Sequence, residues 1–78
     1  MISEMFNRIT KGPARADMVI ESKKNKGVSI EVWHWYRSDE YCVEYHDFHN
    51  IDHRIIARCT CWSDAFKFIA DYVLENDF

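Results

Sequence analysis

A two-residue alternation runs through the middle of the chain. Val28, Ile30, Val32, His34 and Tyr36 fall on one side of an extended segment, with Ser29, Glu31, Trp33 and Trp35 on the other. That is the pattern of a strand with two chemically distinct faces. Arg37-Ser38-Asp39-Glu40 supplies a turn, after which Tyr41, Val43 and Tyr45 alternate with Cys42, Glu44 and His46. Pairing Tyr36 with Tyr41 sets His34 beside Val43 and Val32 beside Tyr45. A further pairing across His49–His53 sets Tyr45 opposite Ala57, Val43 opposite Cys59 and Tyr41 opposite Cys61, with Glu44 facing Arg58 on the reverse side. A one-residue slip would invert every match.

The flanks complete the architecture. Arg15–Ser22 reads as a strand, and Lys23-Lys24-Asn25-Lys26-Gly27 as the tip of a hairpin, since Asn and Gly suit turns. Ile2, Met5, Phe6 and Ile9 recur at helical spacing, with Ser3 as N-cap and Gly12-Pro13 as a stop. Ser63-Asp64 opens a final helix whose stripe is Ala65, Phe66, Ile69, Tyr72 and Val73, and Asn76-Asp77-Phe78 is expected to fray. The expected fold is one α+β domain over residues 1–78: a short N-terminal helix, a three- or four-stranded antiparallel meander, and a C-terminal helix packed on one sheet face. The expected core joins Val28, Ile30, Val32, Val43 and Tyr45 to Ile55, Ala57, Cys59 and Cys61 under the helix.

Composition narrows the class. Seventy-eight residues at 47% hydrophobic are enough for one small core. No apolar run approaches a membrane span, and the first residues lack the apolar centre of a signal peptide. An odd count of three cysteines, without an export signal, suggests a reducing, cytoplasmic setting. The net charge of −3 conceals a split: residues 1–27 carry +3, and residues 28–78 carry −6. The acidic part would repel a nucleic-acid backbone and suits a basic protein surface.

With one sheet face assigned to the core, the other carries Trp33, Trp35, Cys42, His46, Phe48, Ile56 and Trp62, with Glu31, Glu44 and Arg58 among them. That is a large aromatic area for a solvated face. It is accounted for by the N-terminal helix lying across it, by a homodimer through it, or by recognition of a partner. Cys59-Thr60-Cys61 with His46, His49 and His53 raises the question of metal. C-x-C is a weak signal, and the register sends both thiols into the core, so neither metal nor other cofactor is expected. Cys42 and His46 are about 13 Å apart along a strand, too far for a nucleophile and its base. With only Gly12 and Gly27 there is no phosphate loop. An enzyme is not expected.

The α-β-β-β-α order invites comparison with double-stranded-RNA-binding domains. The lysine-rich start of that family's last helix is replaced here by Ser63-Asp64-Ala65-Phe66-Lys67, so the comparison is not carried over. The short meander Val28–Trp62 closed by the acidic helix Ser63–Leu74 resembles, in architecture, the small host-takeover proteins of phages and mobile elements, anti-CRISPR proteins among them. That resemblance implies stoichiometric inhibition of a host protein or ribonucleoprotein complex in the host cytoplasm, with no membrane and no nucleic acid as direct ligand. The expected contact residues are Trp33, Trp35, Glu44, Phe48, Arg58, Trp62, Asp71 and Glu75, aromatic anchors with charges that steer. The alternative is a nucleic-acid-binding regulator using Arg15, Lys23, Lys24 and Lys26 for phosphates and exposed tryptophans for stacking.

Overall fold

Three short connections dictate the topology. The computed structural model describes residues 13–78. Within them, strands β1 (Ala14–Glu21), β2 (Val28–Trp35), β3 (Glu40–Asp47) and β4 (Asp52–Cys59) pair antiparallel in the order β1-β2-β3-β4, and helix α1 (Trp62–Glu75) follows. Turns this short join only adjacent antiparallel strands, which yields a meander. The helix expected over Ile2–Ile9 lies outside the described residues.

α1 crosses one face of the sheet. Ala65 and Ile69 are its buried residues, and they meet Val28, Ile30 and Val32 from β2 and Val43 from β3. Met18, Ile20, Tyr41, Tyr45, Ile56, Ala57, Tyr72 and Val73 ring this centre. Each fully buried Ile or Val contributes about 1.5–3 kcal/mol. Phe66, expected in the stripe, is nearly half-exposed. The helix begins at Trp62, with its N-cap at Cys61, two residues before the expected Ser63, and no side-chain cap hydrogen bond there.

The β2–β3 register differs from expectation by two residues, with His34 opposite Tyr41, Val32 opposite Val43 and Ile30 opposite Tyr45. A shift of two preserves the face of every side chain, so β2 and β3 present the expected residues to the core although the cross-strand partners differ. The β3–β4 pairing holds the larger surprise. Tyr41 faces Cys59 and Val43 faces Ala57, but the next residue, Glu44, faces Ile55, leaving Ile56 as the extra residue of a bulge. Ile56 therefore packs into the core, and Ile55, assigned to the core by strict alternation, turns to the other face. Cys61 falls beyond the strand and is exposed, not buried.

One end of the sheet is tied together by backbone. Gly27 adopts φ 86°, a left-handed conformation that other residues rarely take, and a Cβ there would lie 2.5 Å from the His49 ring, which would have to move aside. Its carbonyl accepts from the Phe48 N–H (2.8 Å), joining the β1–β2 and β3–β4 turns. Phe78 is buried in the core instead of frayed, and its carbonyl accepts from Lys23 N–H (2.9 Å) and Ser22 Oγ (3.1 Å).

Lys24 reaches the same corner and pairs with Asp77 at 2.8 Å. The Lys24 hydrogen bond, and then its charge, hold the Asp77 carboxyl below its ordinary value. A lowered carboxyl supports the fold above the ordinary carboxylate range, and that support is lost as pH falls through the lowered pKa. Lys24→Met should therefore move the Asp77 titration, followed by NMR at its side-chain carboxyl carbon, back up toward the ordinary value. An unmoved midpoint would show that the pair does not persist in solution.

Candidate functional site

Among the described residues, no element covers the sheet face opposite α1. Alternation sends Glu31, Trp33 and Trp35 of β2 to it, and the pairings bring Cys42, Glu44 and His46 of β3 beside His53, Ile55 and Arg58 of β4. Glu44 sits in the middle at 1% exposure, the one charged residue that is fully buried among those described. A buried carboxylate is tolerated when its oxygens are hydrogen-bonded. Trp35 Nε1 donates to Glu44 Oε2 at 3.0 Å. The other oxygen, Oε1, lies 3.1 Å from His46 Nε2 and 2.8 Å from His53 Nε2.

Glu31 faces Glu44 directly across β2–β3. Like charges in that position repel unless something intervenes. Ser29 Oγ and Trp33 Nε1 each donate to Glu31 at 2.7 Å, one to each oxygen, and His46 Nε2 lies 3.3 Å from Oε1, between the two carboxylates. The His46 and His53 rings stack at 4.1 Å between centroids, with Trp33 beyond His46 at 6.3 Å. The result is a network of two carboxylates, two imidazoles and two indoles lying across three strands.

The bulge at Ile56 builds this network. Had the Val43–Ala57 register continued, His46 would face Arg54 and His53 would point toward α1. The bulge places His53 opposite His46 instead, while Arg54 faces Tyr45 and lies 4.7 Å from its ring centre. The expected Glu44–Arg58 pair does not form. Arg58 faces Cys42 and its guanidinium binds Glu40 at 3.1 Å.

Two open clefts flank the cluster. One, of about 550 Å³, is bordered by Glu31, His46, Asp47, Asp52 and His53, with Phe48 and Ile51 at its rim. The other, of about 290 Å³, lies among Pro13, Trp33, Trp35, Glu44 and His53. Phe48 is 84% exposed and Ile51 91% exposed. Ile51 also holds φ 52°, a left-handed conformation unfavourable to a β-branched residue.

The structure brings only part of the expected contact set together. Trp33, Trp35, Glu44 and Arg58 share the open face, and Phe48 stands at one end of it. Trp62 belongs to the helix layer at the opposite end of the sheet, stacked on Phe66 at 5.1 Å. Asp71 and Glu75 border a shallow groove on α1 with Phe68 and Tyr72, away from the open face. The basic residues are also divided. Arg15 binds Asp17 at 3.0 Å near the far end of β1, about 20 Å of strand from the Lys23–Lys26 tip. The sequence raises His46 and His53 as metal ligands only alongside Cys59 and Cys61, and does not join them to Glu44 and Glu31, although Glu44-x-His46 on one face of a strand is a visible signal.

The cysteines take no part in the cluster. Cys42 is buried on the open-face side, where burial and then the Glu40 carboxylate push its thiol up. Burial, with the Asp64 carboxylate next, raises half-buried Cys59. Cys61 is exposed, 3.3 Å from Ser63 Oγ. No protein-family model, no curated protein and no solved structure matches the chain. A functional reading therefore rests on the chemistry of this face.

The environments of the thiols predict their reactivity. With Ellman's reagent at pH 8, one thiol per folded chain should react rapidly, and Cys61→Ser should abolish that phase. Cys42 should react only as urea unfolds the protein. Rapid labelling in folded Cys61→Ser would show that the sheet opens far more readily than its packing implies.

Proposed function

We propose that this protein is a non-enzymatic binding module that docks its open sheet face and β3–β4 turn onto a cationic surface of a host protein or ribonucleoprotein complex. In this reading it inhibits a nucleic-acid-handling machine stoichiometrically, as anti-CRISPR proteins do. The observation that carries the reading is Ile51. A β-branched residue in the left-handed region costs about 1–2 kcal/mol, and at 91% exposure nothing in the fold repays that cost. Strained, solvated apolar residues of this kind gather at recognition sites.

The surroundings agree in chemistry. Phe48 stands beside Ile51 at the rim of the larger cleft, which is lined by Glu31, Asp47 and Asp52 (the last paired with Arg54 at 3.4 Å) and, among the described residues, by no lysine or arginine. An apolar pair above carboxylates suits a partner that presents arginine or lysine around a hydrophobic pocket. Such surfaces occur where proteins hold nucleic-acid phosphates. The rival reading, direct binding of nucleic acid, draws on lysines of which Lys24 is already paired with Asp77.

Ile51→Asn separates binding from folding. Asn accepts the left-handed conformation, so the variant should gain about 1 kcal/mol in urea unfolding. Combined with Phe48→Ser, it should lose at least tenfold in affinity for the partner that the immobilised wild-type chain captures from host lysate. Equal capture by both proteins would overturn the assignment of the face. Tryptophan fluorescence should stay unchanged on titration with single- or double-stranded oligonucleotides at low salt, whereas a saturating response would favour the nucleic-acid reading. A wild-type dimer dissociated by the double variant would assign the face to a second copy of the chain.

A further inference from the structure

We propose that Glu44 Oε1, His46 Nε2 and His53 Nε2 form a binding site for one divalent transition-metal ion of the zinc type. The three ligand atoms lie within 4.8 Å of one another. Metal bonds of about 2.0–2.1 Å, at tetrahedral to octahedral angles, separate neighbouring ligand atoms by about 2.9–3.4 Å. The 3.1 Å separation from Oε1 to His46 Nε2 falls within that spacing and the 2.8 Å to His53 Nε2 just below it, and the two rings, stacked at 4.1 Å, need only turn about their side-chain bonds to aim both Nε2 lone pairs at one ion. The strands supply the arrangement: Glu44 and His46 are two apart on β3 and share a face, and His53 is the cross-strand neighbour of His46.

The surroundings are those of a ligand set. Trp35 Nε1 fixes Glu44 Oε2 and thereby leaves Oε1 directed at both imidazoles. Ser29 and Trp33 hold Glu31 in the same way, and its Oε1 comes within 3.3 Å of His46 Nε2. A cation among these groups would relieve the direct opposition of Glu31 and Glu44 across β2–β3. Two imidazoles with one carboxylate favour zinc, cobalt or nickel over magnesium or calcium, which prefer oxygen ligands throughout. The site is reachable, since the His53 side chain is 59% exposed and both clefts border the cluster. Three protein ligands leave at least one position for water or for a group from a bound molecule.

This site differs from the one the sequence invited. Cys59 and Cys61 contribute nothing to it, and His49 lies in the turn against Gly27. It is also independent of the protein-binding reading, because metal affinity is measured on the isolated chain.

The test is calorimetric titration of the EDTA-stripped full chain with Zn²⁺, with thermal unfolding and imidazole ¹⁵N NMR in parallel. One equivalent should bind saturably, and the unfolding midpoint should rise and return on adding EDTA. In the metal-loaded protein, the Nε2 atoms of His46 and His53 should lose their protons to coordination. His53→Gln, whose amide can still donate to Glu44, should bind Zn²⁺ at least about tenfold more weakly and show a correspondingly smaller Zn²⁺-induced rise from its own metal-free midpoint, while His49→Gln binds as wild type. No saturable binding, undiminished affinity in His53→Gln, or Nε2 protons retained in the presence of Zn²⁺ would each reduce the cluster to hydrogen bonds alone and overturn the proposal.

Discussion

A carboxylate that must lie buried in an open sheet is the constraint on which this molecule turns. Glu44 stands in the middle of β3, between two strands and away from α1, where water would normally solvate a charge. Its burial is made possible by side chains of the same face: Trp35 from β2, His46 from β3 itself, and His53 from β4. Each of those residues is consequently held in one orientation. The indoles that look from sequence like free aromatic anchors are committed donors, with Trp33 bound to Glu31 and Trp35 to Glu44. Removing either indole would leave a carboxylate short of a partner, so the tryptophans shape the face rather than offering themselves as its most removable contacts.

The two faces of the sheet thus solve different problems with the same backbone. Toward α1, aliphatic side chains of β2 and β3 exclude water and need only volume and shape. On the other side, hydrogen-bonding geometry replaces volume, and packing is polar and directional. The bulge at Ile56 serves both: it turns an isoleucine inward to the core and brings a histidine outward to the carboxylate.

Much of the fold was legible because alternation is insensitive to slips of two. The β2 and β3 assignments, the hairpin tip at Lys23–Gly27 and the terminal helix all follow from local periodicity and turn chemistry. The bulge was not legible, since Ile55 and Ile56 are the same residue type and strict alternation chooses between them arbitrarily. Everything N-terminal to it on β4, including which of His53 and Arg54 reaches the open face, inherits that ambiguity. The burial of Phe78 was missed for another reason: an end residue is expected to be solvated, and only the three-dimensional placement of Ser22 and Lys23 gives its carbonyl partners. Ile51 escaped notice because its left-handed backbone is a property of the turn and not of its composition.

The bond from Ser22 to Phe78 spans 56 positions of sequence. The strand pairings, by contrast, all join neighbours in a meander, so the sheet can assemble from local hairpins at low contact order. Phe78 joins the docked helix to the first hairpin, its ring against Tyr72 and its carbonyl held by Ser22 and Lys23. Phe78 is thus a latch: a single residue after the helix ties α1 to the hairpin at the other end of the meander's sequence, a link that no pair of neighbouring strands can supply.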